Sequence, residues 1–248
     1  MRAIPIEGDH KMSSTIGALR VRNPLRPLVR KALERTIFKE YRERIERFNW
    51  NARLVRTLNE SANVPVFPGR DEMYDYINRR WMCDGQTPID FLEFGVFQGA
   101  SLRKWCALNR HPESRLFGFD SFDGLPEDWL DGWPKGTFST GGKAPELSDS
   151  RVKLVVGLFQ NSLQSFLTPF VPKNRIVVHS DCDLYSSTLY CLTTLNSLLP
   201  KETIIIFDDF HDPIHEYRAL SDYCSAYRRK YTVLAATQRF RQVTIELF

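Results

Sequence analysis

Two stretches decide the fold: Arg175-Ile176-Val177-Val178-His179-Ser180-Asp181-Cys182-Asp183, and Thr203-Ile204-Ile205-Ile206-Phe207-Asp208-Asp209. Each is a short β-branched apolar run that ends in a pair of aspartates. Runs of this kind predict buried parallel strands. In open α/β sheets ligands bind outside the carboxyl ends of the strands. If these two strands are neighbours, their ends lie about 5 Å apart. Carboxylates held that close repel unless a proton or a cation neutralises them. The economical expectation is a divalent metal site beside a cofactor pocket.

The rest of the chain supplies the frame for such a sheet. Strands are expected at Pro88 to Gly95, Arg115 to Asp120 and Val152 to Gly157, with helices at Asp71 to Met82, Gly99 to Asn109 and Asn161 to Leu167. A helix from about Ser187 to Leu199 separates the two aspartate-bearing strands. Another spans Glu216 to Arg229, and Tyr231 to Ala236 and Arg239 to Phe248 read as an antiparallel hairpin at the sheet edge. Pro65 to Gly69 reads as a turn. Strands alternating with helices predict an α/β, doubly wound, mostly parallel Rossmann-like sheet. Residues 123 to 150 lack periodicity and are rich in Gly, Pro, Ser and Asp. Trp129 and Trp133 within that stretch favour a packed lid over disorder.

The 248 residues suffice for one α/β domain, residues 65–248, preceded by an N-terminal helical arm, residues 1–64. A 42% apolar and 26% charged composition is ordinary for a globular protein. No apolar run approaches the 18 or so residues of a membrane helix, and the first residues lack the apolar centre of a signal peptide. Five cysteines, widely spaced and without a Cys-x-x-Cys, predict reduced thiols in a cytoplasmic protein. The net charge is +4, but Arg20 to Arg56 holds twelve Lys/Arg against four Glu. From Leu28 to Leu58, Leu33, Ile37, Tyr41, Ile45, Phe48, Ala52 and Val55 recur on one helical face with arginines opposite. The basic face reads first as solvated surface. An acidic partner or anionic lipid is the alternative, and a homo-oligomer is compatible with it. The lack of aromatic–basic interleaving argues against nucleic acid.

The first predicted core strand runs into Glu93-Phe94-Gly95-Val96-Phe97-Gln98-Gly99-Ala100-Ser101. Gly95 and Gly99 allow a tight turn and close backbone approach. Their spacing is not that of the Gly-x-Gly-x-x-Gly dinucleotide fingerprint. Glu93 would repel a phosphate but suits a cationic amine. Asp120, at the end of the next strand and followed by Ser121 and Phe122, occupies the position that grips a ribose diol. An acid for an amine, an acid for a ribose and no phosphate cradle describe S-adenosylmethionine better than NAD. Ser101 and Ser121 join the expected cofactor contacts, and Phe122 or Phe159 is expected to flank the adenine.

These residues form a familiar set. Gly69-Arg70-Asp71-Glu72-Met73-Tyr74, Glu93 to Ser101, Asp120-Ser121-Phe122-Asp123-Gly124-Leu125-Pro126, Lys135-Gly136-Thr137-Phe138, Asp181 to Thr188 and Phe207-Asp208-Asp209-Phe210 together resemble the macrocin O-methyltransferase family. Its members include enzymes that methylate sugar hydroxyls on macrolide and aminocoumarin antibiotics. The resemblance, over roughly residues 65 to 212, implies a class I methyltransferase fold, S-adenosylmethionine as donor and a requirement for Mg2+. It implies Asp181, Asp208 and Asp209 as metal ligands and Asp183 as the base that deprotonates a sugar hydroxyl. Residue 182 is Cys where the antibiotic enzymes usually have Gly.

Local chemistry sets conditions on those roles. Asp183 points the same way as Asp181 if the segment stays extended. Asp208 and Asp209 reach one ion only if the chain turns between them; otherwise one caps the following segment. His211 is the reserve base, and Pro213 argues against a regular helix joining it to His215. Two rival readings are a metal-dependent nucleotide-sugar glycosyltransferase using Asp181-x-Asp183, which leaves Glu93, Gly99 and Asp120 without roles, and a non-catalytic methyltransferase-like binding module.

Overall fold

A computed structural model describes residues 44–60, 63–130 and 132–248. The expected irregular segment before residue 28 and the apolar positions Leu33, Ile37 and Tyr41 lie outside the described residues. One compact unit runs from Ile45 to Phe248.

Its centre is an eight-stranded sheet in the order β1-β7-β8-β6-β5-β2-β3-β4. The strands are β1 (Val66–Phe67), β2 (Ile89–Phe94), β3 (Arg115–Asp120), β4 (Val152–Val156), β5 (Arg175–Ser180), β6 (Ile204–Phe207), β7 (Tyr231–Thr237) and β8 (Val243–Leu247). Helix α1 covers residues 44–60. It is followed by α2 (Arg70–Trp81), α3 (Ala100–Leu108), α4 (Phe159–Leu167), α5 (Tyr185–Leu195) and α6 (Glu216–Tyr227). The α/β, mostly parallel arrangement matches the sequence expectation. No helix among the described residues is long and apolar enough to cross a membrane.

The chain winds outward in opposite directions from the boundary between β2 and β5. From β2 it continues through β3 to β4 on one side; β5 and β6 extend the sheet on the other. That boundary is the topological switch point, where a crevice opens beyond the strand ends. Register fixes which residues meet there. Phe94 pairs with Ser180, and Ser180 with Phe207, so Gly95, Asp181 and Asp208 emerge side by side.

The terminal hairpin departs from the expectation in one respect. β7 and β8 pair antiparallel, but β8 lies between β7 and β6, and β7 also pairs in parallel with β1. Val66 and Phe67, read from sequence as part of a turn, form the edge strand. Two residues are too few to show the period-2 pattern that reveals strands. The connection between β3 and β4 has neither helix nor strand among its described residues, yet its backbone is tied down. Leu125 N donates to Thr137 O (2.9 Å), and the amides of Thr140 and Gly142 both reach Phe122 O (3.0 Å).

Helix α1 docks through a face other than the expected one. Ile45, Phe48 and Val55 are exposed, Phe48 at 73%, whereas Leu54 is buried in the core. Trp50 meets Tyr217 of α6 edge-on at 6.2 Å, and Thr57 Oγ1 lies 2.9 Å from the Tyr217 hydroxyl. Trp50, Leu54, Thr57 and Leu58 follow a helical period as well as the expected stripe does, and periodicity alone did not separate the two faces. Truncating Leu54 to Ala is therefore expected to destabilise the protein by about 2 kcal/mol or more, as core Leu-to-Ala changes do. Phe48→Ala is expected to change stability by less than about 0.5 kcal/mol. Thermal melts of the two variants check this, and equal losses would refute the assigned face.

Candidate active site

A cavity of about 820 Å³ opens at the carboxyl edge of the sheet, over the switch point. Four strand ends build it. The loop after β2 contributes Gly95, Val96 and Phe97, and the start of α3 contributes Ser101; the end of β3 contributes Asp120 and Ser121. The loop after β5 contributes Asp181 and Asp183, and the loop after β6 contributes Asp208, Asp209 and His211. Leu158 and Phe159 at the start of α4 complete one wall, and Trp129, Trp133 and Phe138 of the long loop form another.

Gly95 explains how two of these loops come together. Its φ is +92°, and a Cβ there would sit 1.8 Å from the Asp181 carbonyl oxygen. The close approach foreseen for a ligand is made instead by the protein's own backbone: Asp181 N donates to Phe94 O at 2.9 Å. Asp120 stabilises the other side of the same loop. One carboxylate oxygen accepts from Val96 N (2.9 Å) and Phe97 N (2.8 Å), and the other from Phe122 N (2.8 Å). Asp120 thus shapes the crevice and still lines it.

Glu93, Gly99 and Phe122 do not line the cavity. Glu93 is fully buried beneath Ser101, whose hydroxyl donates to it at 2.6 Å. On its other side the His179 ring lies 3.5 Å away, and His179 Nε2 meets the Tyr74 hydroxyl at 3.0 Å. Ser101, which does line the cavity, is the atom through which Glu93 acts on it. Phe122 is a buried core side chain, 1% exposed, leaving Phe159 as the expected ring that faces the cavity. Alternation along a strand says which residues share a face, but not which face receives the ligand.

The aspartates gather in two overlapping groups. Ligand-capable atoms of Asp181, Asp183 and Asp209 lie within 4.8 Å of one another, and so do those of His179, Asp181 and Asp208. The chain bends at Asp208 and Asp209, yet their carboxylates fall in separate groups, so the expected trio of Asp181, Asp208 and Asp209 is not itself brought within 4.8 Å. Asp208 leans toward Arg70 (3.4 Å), while Asp209 lies 3.7 Å from Arg241 and 3.7 Å from His211. Asp183 joins the group by a turn as well, because its φ of +57° leaves the extended conformation. Burial, reinforced by the charges of Asp209 and Asp208, pushes the Asp183 carboxyl up to about 8. Burial and the charges of Asp208 and Asp183 push Asp181 well above the ordinary carboxylate range.

A residue not singled out from the sequence holds the two loops in register. Glu216, the first residue of α6, is fully buried. Its Oε1 accepts from the Ser180 hydroxyl (2.9 Å) and Cys182 N (3.3 Å), and its Oε2 accepts from Asp209 N (2.9 Å). Burial raises its pKa well above the usual value. The sequence signal was faint: an acid in the first turn of a predicted helix, ordinarily explained by the helix dipole. Arg70, Arg239 and Arg241 also line the cavity without having been assigned a role.

Comparison with known proteins agrees with this geometry. Residues 92–210 match the family model described as a methyltransferase domain. Among solved structures the chain is similar to the O-methyltransferase NovP, with a TM-score of 0.54, 20% identity, and 71% of this chain and 78% of that one covered. It is also similar to CalS11, a calicheamicin methyltransferase, with a TM-score of 0.51, 21% identity, and 80% and 91% covered. This is the methyltransferase fold. Comparison with curated proteins gives no significant match.

Within this methyltransferase fold the buried acids have a consequence for stability. A carboxyl whose pKa is raised by folding binds more protons in the native state than in the unfolded state. Stability then falls as pH rises between the two values. For Asp183 that window runs from about 3.8 to about 8. The metal-free protein is expected to melt at progressively lower temperature as pH rises through this window. Melts in a chelating buffer check the slope, and a rising melting temperature would refute it. Glu216→Ala is expected to lower stability by about 2 kcal/mol or more, because it strands two buried amides and a hydroxyl. Glu216→Gln is expected to lose less; denaturant titration of both variants separates packing from hydrogen bonding.

Proposed function

We propose that this protein is an S-adenosylmethionine-dependent, Mg2+-assisted O-methyltransferase acting on a hydroxyl of a saccharide or glycosylated small molecule. One observation carries the reading. The glycine turn after β2 and the carboxylate cluster after β5 and β6 open onto the same cavity. A donor seated on the first would present its methyl group to an acceptor held by the second. The methyltransferase-domain match over residues 92–210 supports the donor. Five free thiols fit a cytoplasmic setting.

The donor set fits magnesium. Asp181, Asp183, Asp208 and Asp209 offer only hard oxygen ligands, and the raised pKa values of Asp181 and Asp183 reflect burial and crowding that a divalent cation relieves. Asp181, Asp208 and Asp209 would hold the ion. Bound there, it would lower the pKa of the acceptor hydroxyl and orient it.

The chain's own residues do the rest. Ser121 and Asp120 border the ribose side, Phe159 faces the adenine side, and Ser101 presents its hydroxyl beneath the donor amine. S-adenosylmethionine, when bound, would supply the methyl group to the acceptor oxygen, the carbon–sulfur pair staying with sulfur in S-adenosylhomocysteine. The hydroxyl proton passes to Asp183, which lines the cavity beside Asp181 and Asp209. Alignment of the two reactants is the main contribution, worth up to about 7–11 kcal/mol in well-oriented systems. The aromatic wall suits a saccharide. Trp133 stacks on Phe138 at 5.1 Å and stays 41% exposed, a flat apolar surface for a sugar ring.

The tight grouping of Asp181, Asp183 and Asp209 favours a second reading, in which Asp183 is a ligand and His211 takes the proton. Asp183→Asn separates the two. If Asp183 is the base, turnover falls by about a hundredfold or more while Mg2+ still raises the melting temperature. If it is a ligand, the metal-induced shift disappears too.

Calorimetry tests the donor assignment. S-adenosylhomocysteine is expected to bind, Asp120→Ala to weaken it about tenfold or more through loss of loop order and ribose contact, and Asp181→Ala to spare it while abolishing methyl transfer. Binding of a nucleoside diphosphate in place of S-adenosylhomocysteine would overturn the reading in favour of a glycosyltransferase.

A further inference from the structure

The chain reverses between β7 and β8 through Gln238, Arg239, Phe240 and Arg241. Two consecutive non-glycine residues here are left-handed, Arg239 at φ +59° and Phe240 at φ +53°. Strain of this kind persists only where the surroundings enforce it, and it concentrates at ligand clamps.

The enforcement is visible. Thr237 and Gln242, both buried, form a three-bond clasp beneath the turn. Thr237 N donates to Gln242 O (2.9 Å), Thr237 Oγ1 meets Gln242 Oε1 (2.7 Å), and Gln242 N donates to Thr237 Oγ1 (2.9 Å). Phe210 N, in the loop that carries Asp209, donates to Arg241 O at 2.8 Å. The turn is therefore anchored both to the sheet and to the aspartate loop, and it sets Gln238, Arg239 and Arg241 along the cavity wall.

Charge pairing then singles out one residue. Arg70 lies against Asp208 and Arg241 against Asp209. Arg239 has no hydrogen-bond or ion-pair partner among the described residues, and it faces the same cavity. Arg70 and Arg241 already stand against Asp208 and Asp209, and Arg239, exposed on left-handed backbone, adds a third guanidinium at the cavity mouth that an anionic ligand can engage. A phosphate offers several oxygens that two arginines can share, whereas a carboxylate is satisfied by one guanidinium fork.

We propose that the Gln238–Arg241 turn is an anion subsite, and that the acceptor is a phosphorylated saccharide whose phosphate or pyrophosphate is held by Arg239 together with Arg241. The assignment rests on the methyl-transfer reading, since it places the anion beside the hydroxyl to be methylated.

The test is calorimetry of inorganic pyrophosphate on the full chain, loaded with S-adenosylhomocysteine and Mg2+. Three proteins are compared: the parent, Arg239→Asn and Arg239→Lys. Asn tolerates the left-handed backbone, so the first variant removes the charge without adding strain. The parent is expected to bind pyrophosphate with an affinity that falls as salt rises. Arg239→Asn is expected to bind it about tenfold or more weakly, and Arg239→Lys to fall between. Binding of S-adenosylhomocysteine and the melting temperature should be the same in all three.

Pyrophosphate that binds Arg239→Asn as tightly as the parent would be held by the metal alone, and that result overturns the subsite. So does a parent that takes S-adenosylhomocysteine but no pyrophosphate. Failure of S-adenosylhomocysteine itself to bind strikes the methyl-transfer reading instead, and the two failures are thereby told apart.

Discussion

The constraint on which this structure depends is the crowding of negative charge at one edge of the sheet. Asp181, Asp183, Asp208 and Asp209 leave adjacent strands at the switch point, where register alone brings two of them level. Left to themselves these groups would splay or take up protons. The fold opposes splaying in three places. Gly95 lets the backbone of Asp181 lie against β2, Glu216 grips Cys182 N and Asp209 N, and two arginines stand against the outer pair. Protonation is what remains, and it appears as the elevated pKa values of Asp181 and Asp183.

The same edge shows how one strand end serves two purposes. Asp120 organises the glycine turn through two amide hydrogen bonds and its own loop through a third, and still borders the cavity. Glu93 lies one layer deeper and reaches the cavity through a serine. Charge is thus graded with depth: an acid in the interior, hydroxyls, amides and largely buried carboxylates at the wall, then guanidinium groups at the rim. Such an arrangement suits a donor that carries both a positive sulfonium and neutral hydroxyls.

The strands that carry the aspartates were legible because each holds three consecutive β-branched apolar residues, as strands buried on both faces do. The core helices were legible for the complementary reason, a period near 3.6. What escaped has a physical cause in each case. Val66 and Phe67 are too short to show a period. The docking face of α1 depended on whether Trp50 or Phe48 finds a partner, and Tyr217, which decides it, lies well over a hundred residues away. Glu216 looked like an ordinary helix-start acid because its three partners come from two other loops. Phe122 reads as a cavity residue by position, but its left-handed backbone is buried in the core.

The sequence by itself determined the α/β class, the direction of the strands and the edge at which the chemistry gathers, because these follow from local patterns of apolarity and from acids that have no reason to end a buried strand. Only the tertiary structure decided which acids share a neighbour, which one turns toward Arg70, and that Arg239 faces the cavity with no ion-pair partner among the described residues. Those facts rest on distances between residues remote in the chain, and such distances are set by register, by a buried clasp and by a backbone contact that only glycine permits.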